Sequence, residues 1–433
     1  MAPNILIKKI KNVLIFPSRL SYIIIIRIKT MKERIFTSIL DDDVYKRHMG
    51  CIFWDKFRGT PTKYAYKCRD TSIDLSPIYN DLCEQIEMMQ DITLTKEEQK
   101  WSFENTRMTQ DYLVNFLANF RYHPSQVMIL KVPANPGISM RPTADVECAS
   151  LWEMPLMYIT SELYFKHLYG DKFNYVMDQA KKDLHKKVAD LKKLMEENPT
   201  VPFTFSEFGT RRRLCREFHD YAVGYLKENI PANLVGTSNM LLAKKHGIKA
   251  VGTCAHEFYE FYQAFYHILD SQKIALNDFI QFYRGWLGIA LTDTLGSNQW
   301  DKDFDKKLMI EYTGQRHDSA DPCVWAGRRL DAYRREGLDP KEKTLLFSDD
   351  LNFVKAFKLS TLYSDKINVS HGIGTFITNN IPSIPEHKAL NQVVKIVWVN
   401  GRPVAKISDD PRKAQCEDEV YLNYVKHIVE INK

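Results

Sequence analysis

The sequence predicts an α/β protein, a β/α barrel or an open parallel sheet, with the repeated Gly-Thr and Ser-Asp strand endings favouring the barrel, and a satellite antiparallel sheet. Three observations carry that expectation. From Pro202 onward, short apolar runs recur, each ending in Gly, Thr, Ser or Asp and each followed by a helix-like stretch. Parallel strands need crossovers of about a dozen residues or more, and helical crossovers fit most of these intervals. Near the C-terminus, "VVKIVWVNGRPVAKIS" holds two alternating strands around Asn400-Gly401. That is a type I′ hairpin signal, and it belongs to an antiparallel satellite sheet.

Residues 1–30 form an atypical basic and apolar segment, with many Ile, Lys and Arg and no acid. It never reaches 18 continuous apolar residues, which argues against a membrane span. Three readings stay open for it: organelle targeting, a basic membrane-surface segment, or upstream sequence with Met31 as the true start. Residues 31–150 read as an N-terminal α+β part. There "SILDDDVYKRHM" looks like a capped helix start, "LSPIYNDLCEQIEMMQDI" reads helical, and Arg121 to Arg141 reads as strand and loop. Residues 151–385 read as the barrel-like catalytic domain. It opens on a buried helix in "LWEMPLMYITSELYFKHLYG". A solvated helix follows, with Leu184, Val188, Leu191 and Met195 on one stripe. The strand candidates are "TFSEFGTRRR", "NLVGTSN", "IKAVGTCAHE", "LGIALTDT", "KTLLFSDDLN" and "INVSHGIGT". Residues 386–433 supply the hairpin and a final amphipathic helix that pack with the N-terminal part.

The chain has 433 residues, 44% hydrophobic and 26% charged, which suits a globular body of substantial core. Net charge is +6, from 60 basic and 54 acidic residues, and much of that surplus lies in the first thirty-odd positions. A nearly neutral body argues against nucleic acid as the main partner and is compatible with an anionic small substrate. Eight cysteines occur with no CxxC pair, so the expected setting is a reducing, cytoplasmic compartment without disulfides or structural zinc.

Polar residues cluster at the strand ends, where sites of parallel β/α folds form. "QRHDSADP" places Arg316, Asp318, Ser319 and Asp321 in what reads as a loop before Pro322. Arg316 suits a carboxylate or phosphate, and Asp318 and Asp321 suit Mg²⁺, directly or through water, or ribose hydroxyls. A capped surface turn explains the same string. "HGIGTF" offers Gly372, Gly374 and Thr375 for a phosphate, or merely a tight left-handed turn; GxGxxG is incomplete. "FGTRRR" offers Arg211, Arg212 and Arg213, of which one or two suit pyrophosphate; the alternative is a basic helix start. "FSDDLN" offers Ser348 and Asp349, with Asp350 as a helix cap. Asp293 in "LTDT" is costly at a buried strand end unless paired. In "GTCAHE", His256 suits a base, ligand or nucleophile. Adjacent Glu257 does not face it on a helix, so a carboxylate from another strand end is the better partner. A core or capping histidine is the competing reading.

Taken together, these strings resemble a nicotinate phosphoribosyltransferase, closest to the bacterial-type enzymes. The matching stretches run in order from "SILDDDVYKRHM" and "FRYHPSQV" through "FGTRRR", "VGTSN", "GTCAHE", "RHDSADP" and "GIGT" to "NGRPVAKISDDPRKAQCEDE". The resemblance implies an irregular β/α barrel with a flanking α+β domain built from both chain ends, and a homodimer with shared active sites. The reaction joins nicotinate to 5-phosphoribosyl 1-pyrophosphate (PRPP), giving nicotinate mononucleotide and pyrophosphate, with Mg²⁺ and with ATP hydrolysed through a phosphohistidine. It places the phosphorylated histidine at His256 and catalytic roles at Arg316, Asp318 and Asp293. Tyr45 is implied against the pyridine ring from the neighbouring subunit. Phe208, Thr237, Ser238, Ser348 and Asp349 are implied in substrate binding, Arg211 and Arg213 on the PRPP side, and Gly372, Gly374 and Thr375 at the 5-phosphate. Nicotinamide phosphoribosyltransferase activity and an inactive PRPP-binding homologue are the alternatives. The chain departs from the family pattern at Ala320 for glycine, His371 for an aromatic, Asn380 for an acid and Arg412 for glycine.

Overall fold

Short strands joined by helices build the centre of the molecule, as the alternating apolar runs require. The computed structural model describes residues 33–410 and 413–431, so the expectations for residues 1–30 and for Arg412 lie outside the described residues. The parallel strands are β4 (Phe205–Glu207), β5 (Leu234–Thr237), β6 (Lys249–Ala250), β7 (Ile289–Leu291), β8 (Gly314–His317), β9 (Thr344–Phe347) and β10 (Asn368–Ile373). They form one seven-stranded sheet in the order β6-β5-β4-β10-β9-β8-β7, parallel throughout. First strand lies beside last, so the sheet curls as a barrel does. It is a half barrel, opening between β6 and β7, which have no ladder with each other among the described residues. Thr253 crosses that opening, its hydroxyl donating to the Ile289 carbonyl at 2.8 Å.

β8 is the strand absent from the sequence reading, which made a loop of this stretch. Its four residues, Gly-Gln-Arg-His, lack the apolar signal of a buried strand. Gly314 lets it pair closely, because a side chain there would collide with the Thr344 backbone.

The second sheet joins the two ends of the chain. It contains β1 (Pro61–Cys68), β2 (Val127–Lys131), β3 (Ile138–Asp145), β11 (Gln392–Val399) and β12 (Arg402–Pro403) in the antiparallel order β12-β11-β1-β3-β2. Asn400 and Gly401 have φ of 49° and 74°, the left-handed pair that a type I′ turn needs. On β1 the alternate residues Thr62, Tyr64, Tyr66 and Cys68 are buried. Together with the half barrel this gives an α/β fold flanked by elements from both termini. From Arg34 the chain forms one compact unit.

Two long helices behave as their patterns predict. Glu153–Tyr169 is buried along most of its length, and Phe173–Glu197 buries Val176, Ala180, Leu184, Val188 and Leu191 on one face. Burying one such aliphatic side chain contributes about 1.5–3 kcal/mol.

The acids of "LDDDVYK" correct an expectation. The helix Val44–Lys56 begins there, but no side chain caps it. Asp41 instead binds Arg213 through two bonds of 2.7 and 2.8 Å, Asp42 pairs with Arg47 at 2.9 Å, and Asp43 accepts from the Ser238 hydroxyl at 2.7 Å. All three acids are buried, where paired charge is tolerated and solitary charge is not. Asp41 and Asp43 pin the helix to the strand ends, and Asp42 holds Arg47 of the helix itself. Asp350 likewise does not cap the helix Phe353–Tyr363; Asn352 does.

Candidate active site

A cavity of about 780 Å³ lies at the carboxyl ends of the parallel strands. Its half-barrel wall carries Phe208 and Arg211 after β4, Ser238 after β5, His256 after β6, Arg316 and Asp318 at β8, and Ser348 and Asp349 after β9. Gly372, Gly374 and Thr375 line it from β10. The opposite wall comes from the chain ends and brings Tyr45, Arg69, Lys388, Lys395, Lys406 and Lys413.

His256 opens the helix His256–Tyr262 and is buried. Its Nδ1 lies 2.9 Å from Thr294 Oγ1. Its Nε2 lies 3.0 Å from Asp318 Oδ2 and 3.3 Å from Asp293 Oδ1. Those carboxylates come from other strand ends. Glu257 turns away, paired with Lys46 and accepting from the Tyr64 hydroxyl at 3.0 Å. Burial, then the neighbouring Lys406 ammonium, holds the His256 ring down at about 4, against the pull of both carboxylates. The ring is therefore neutral at pH 7. Burial works against charge on Asp318, yet Arg316 keeps its carboxyl well below the ordinary range.

Arg316 is braced by Ser348 Oγ at 2.8 Å and Asp318 Oδ1 at 3.1 Å. Ser319 donates to Asp293 at 2.5 Å, which satisfies the acid that seemed costly from sequence. The residue after Ser319 is Ala320, with φ 69°. Glycine adopts that conformation freely and alanine at a cost.

Four cations of the cavity contrast with these. Arg69, Arg211, Lys388 and Lys395 line it without a side-chain hydrogen bond or close ion pair among the described residues. Arg211 is half-buried, and although burial disfavours its charge, Tyr45, Glu153 and other acidic groups keep it protonated. Lys395 is lowered by burial, with Glu153 opposing. Arg69, Arg211 and Lys395 are half-buried and Lys388 is exposed, and a group of unpaired cations around one cavity suits an anion.

The glycines of "HGIGT" act through close approach. Gly374 has φ −108°, outside the left-handed region. A side chain on Gly372 would strike the Phe208 ring, and one on Gly374 would lie 2.7 Å from the Phe208 carbonyl oxygen. His371 faces inward, bonded to the Thr204 carbonyl at 2.9 Å and stacked on Phe203.

Three expected site residues stand elsewhere. Arg213 is outside the cavity lining, locked to Asp41, because its neighbour Arg211 takes the direction of the cavity. Thr237 is buried beneath it, donating to Glu207 at 2.6 Å. Asp321 caps the helix Pro322–Arg335, accepting from the amides of Cys323 and Val324 at 2.8 Å each. It is not near the metal-like cluster. That cluster is His256, Asp293 and Asp318, whose candidate ligand atoms lie within 4.8 Å of one another. Its centre is taken: Lys406 Nζ sits 2.7 Å from His256 Nε2 and 3.3 Å from Asp293 Oδ2. A divalent ion does not fit there with the ammonium in place.

The model of the nicotinate phosphoribosyltransferase (NAPRTase) family matches residues 203–433, and that of its N-terminal domain matches residues 40–161. The chain belongs to the nicotinate phosphoribosyltransferase family. The NAPRTase of Bordetella pertussis is 35% identical over 399 residues, covering 92% of this chain and 96% of the relative. That of Yersinia enterocolitica is 36% identical, covering 90% and 95%. The crystal structure of the Vibrio cholerae NAPRTase superposes with a TM-score of 0.86 at 30% identity, covering 92% of this chain and 94% of that one. Membership makes the chain a phosphoribosyltransferase of NAD biosynthesis.

NAPRTase membership leaves two points that only the geometry supplies. Tyr45 enters the cavity from the same chain that carries His256, whereas the resemblance implied the neighbouring subunit. The tether is local: the Val44 amide donates to the Ser238 carbonyl at 2.8 Å, and Asp43 bridges to Asn239. Second, sequence reasoning missed Arg69, Lys388, Lys395, Lys406 and Lys413. Lys406 and Lys413 stood in the quoted stretch "NGRPVAKISDDPRKAQCEDE", the available signal; Lys395 stood within the hairpin strand β11, and Arg69 and Lys388 belong to segments with no motif. Among the described residues no helix is long and apolar enough to cross a membrane.

Proposed function

We propose that this chain transfers the 5-phosphoribosyl group of PRPP to the ring nitrogen of nicotinate, releasing pyrophosphate, and that ATP is hydrolysed alongside through phosphoryl-His256. The observation that carries the reading is the set of unpartnered cations facing the His256 cluster across one cavity. PRPP bears several negative charges, and a charge-assisted hydrogen bond contributes roughly 1.5–3 kcal/mol. Arg211, half-buried at the cavity beside Tyr45, favours a carboxylated ring over a neutral amide, because an amide offers that cation no opposite charge.

In this reading Tyr45 and Phe208 hold the flat pyridine ring. Gly372, Gly374 and Thr375 receive the 5-phosphate where Phe208 leaves room for backbone alone. As the ribose carbon parts from pyrophosphate it gains oxocarbenium character, and the ring nitrogen attacks that carbon. The cations keep the leaving charge neutralised, and little proton transfer is required. The carboxylate cluster, filled by Lys406, would not hold Mg²⁺, so the metal would be carried by the phosphates of the substrates. When bound it supplies charge neutralisation to those phosphates. Phosphorylation of His256 adds negative charge at the strand ends and reorders the cations around it. Tyr45 lines the cavity of its own chain, and the homodimer with shared active sites belongs to the proposal as the resemblance implies it.

The test is incubation with nicotinate, PRPP and Mg²⁺, with and without ATP, and a parallel arm with nicotinamide. Nicotinate mononucleotide is the expected product, with ADP formed when ATP is present. His256→Asn is expected to abolish ADP formation while leaving slower transfer. Product from nicotinamide alone would favour the amide reading, and PRPP binding with no product from either ring would mark an inactive homologue.

A further inference from the structure

We propose that Lys406 is a catalytic residue of the phosphoryl-transfer half-reaction, its ammonium being the resident cation that receives the phosphoryl oxygens as His256 Nε2 attacks. This rests on the reading that His256 is phosphorylated. The ammonium lies 2.7 Å from Nε2, 3.3 Å from Asp293 Oδ2 and 3.9 Å from Asp318 Oδ2, and the side chain is 7% exposed. Placement is fixed from the backbone. Lys406 and Gln415 exchange two amide bonds of 2.9 Å, the Ile407 amide donates to the Thr294 carbonyl at 2.9 Å, and the Ala405 amide donates to Gln263 at 2.8 Å. Thr294 thereby touches both partners, since its hydroxyl also holds His256 Nδ1.

That arrangement selects the reacting nitrogen. With Nδ1–H donated to Thr294 Oγ1, the lone pair of the neutral ring is on Nε2, where Lys406 donates to it. Two carboxylates flank the same nitrogen. Without a cation between them they would repel an incoming γ-phosphoryl group. Lys406 offsets that repulsion and carries three donors, enough to pass from Nε2 to the phosphoryl oxygens as the bond forms. The step balances without another reactant. The Nε2 lone pair forms the N–P bond, and the Pγ–O bond to the β-phosphate breaks with its electron pair leaving on ADP. Nδ1 keeps its hydrogen on Thr294.

The experiment uses the full chain and γ-³²P-labelled ATP, following acid-labile label on His256 and ADP release at saturating ATP, with ATP affinity measured separately. The wild type is expected to acquire label. Lys406→Met is expected to label about 100-fold more slowly at saturating ATP, a larger change than in ATP affinity, as for loss of one preorganised donor. Lys406→Arg is expected to recover part of the rate, since the charge returns. Should Lys406→Met fail to fold, Lys406→Gln gives the same reading through a neutral side chain that still hydrogen-bonds. Wild-type labelling together with unimpaired labelling in the neutral variant would overturn the role of Lys406 and leave the phosphohistidine standing. A wild type that never acquires label would overturn both.

Discussion

Gly374→Ala tests whether the backbone of the β10 end and that of Phe208 must touch for the enzyme to work. The new β-carbon would lie 2.7 Å from the Phe208 carbonyl oxygen, 3.2 Å from its carbonyl carbon and 3.6 Å from Gly209 Cα. Carbon-to-oxygen contacts settle at about 3.3 Å or beyond, so the two segments must part by roughly 0.6 Å. No rotamer relieves this, because the obstruction is main chain, held there by the Phe208 amide donating to Ile373 at 2.9 Å. Overpacking of this kind costs about 1–3 kcal/mol, equivalent to roughly 5- to 150-fold if it falls on substrate binding. The assay is steady-state mononucleotide formation with PRPP and nicotinate varied in turn. The expected result is a fall of about 10- to 100-fold in kcat/KM for PRPP. Gly327→Ala is the control, since its β-carbon meets nothing within 4 Å in the helix Pro322–Arg335. A Gly374→Ala enzyme within twofold of wild type in kcat/KM would refute the reasoning.

Arg213→Met breaks the buried pair with Asp41 and is expected to cost about 3–5 kcal/mol of stability, read by thermal melting, while KM for PRPP of the folded enzyme stays within about twofold. A raised KM with an unchanged melt would return Arg213 to the PRPP side. Ala320→Gly removes about 1–2 kcal/mol of left-handed strain at φ 69° and adds about 0.5–1 kcal/mol of chain entropy. A small rise in melting temperature is expected, and a fall would contradict it. Because burial and Lys406 hold His256 near 4, protonation does not remove the ring between pH 8 and about 5.5. ADP formation is expected to show no acid limb near the ordinary histidine value of about 6.5. Lys406→Met leaves the two carboxylates to raise that pKa, so any acid limb is expected to move upward.

Much of the half barrel was legible because its strands are short apolar runs with polar ends, a pattern set by burial between helices. His256 and Asp293 stood at those ends, and proximity along the strand rhythm implied proximity in space, whereas Arg316 and Asp318 were legible as polar chemistry in an apparent loop. β8 hid because Gly314 and Gln315 pair by backbone, without an apolar run to mark them. The acids 41–43 were legible as charge but not as partners, since Arg213 and Ser238 lie far along the chain. The same distance hid Arg69, Lys388 and Lys395, which face the cavity only because the chain ends share one sheet. The resemblance placed Arg211 and Arg213 together on the PRPP side, whereas one lines the cavity and the other binds a buried carboxylate.

The most direct measurement of the central claim, that one cationic cavity carries a phosphoribosyl group to nicotinate, follows both products in a single reaction with labelled PRPP. Nicotinate mononucleotide and pyrophosphate are expected in equal amounts, and Arg211→Met is expected to raise the KM for substrate. Absence of mononucleotide both with and without ATP, from folded wild-type protein, would contradict it.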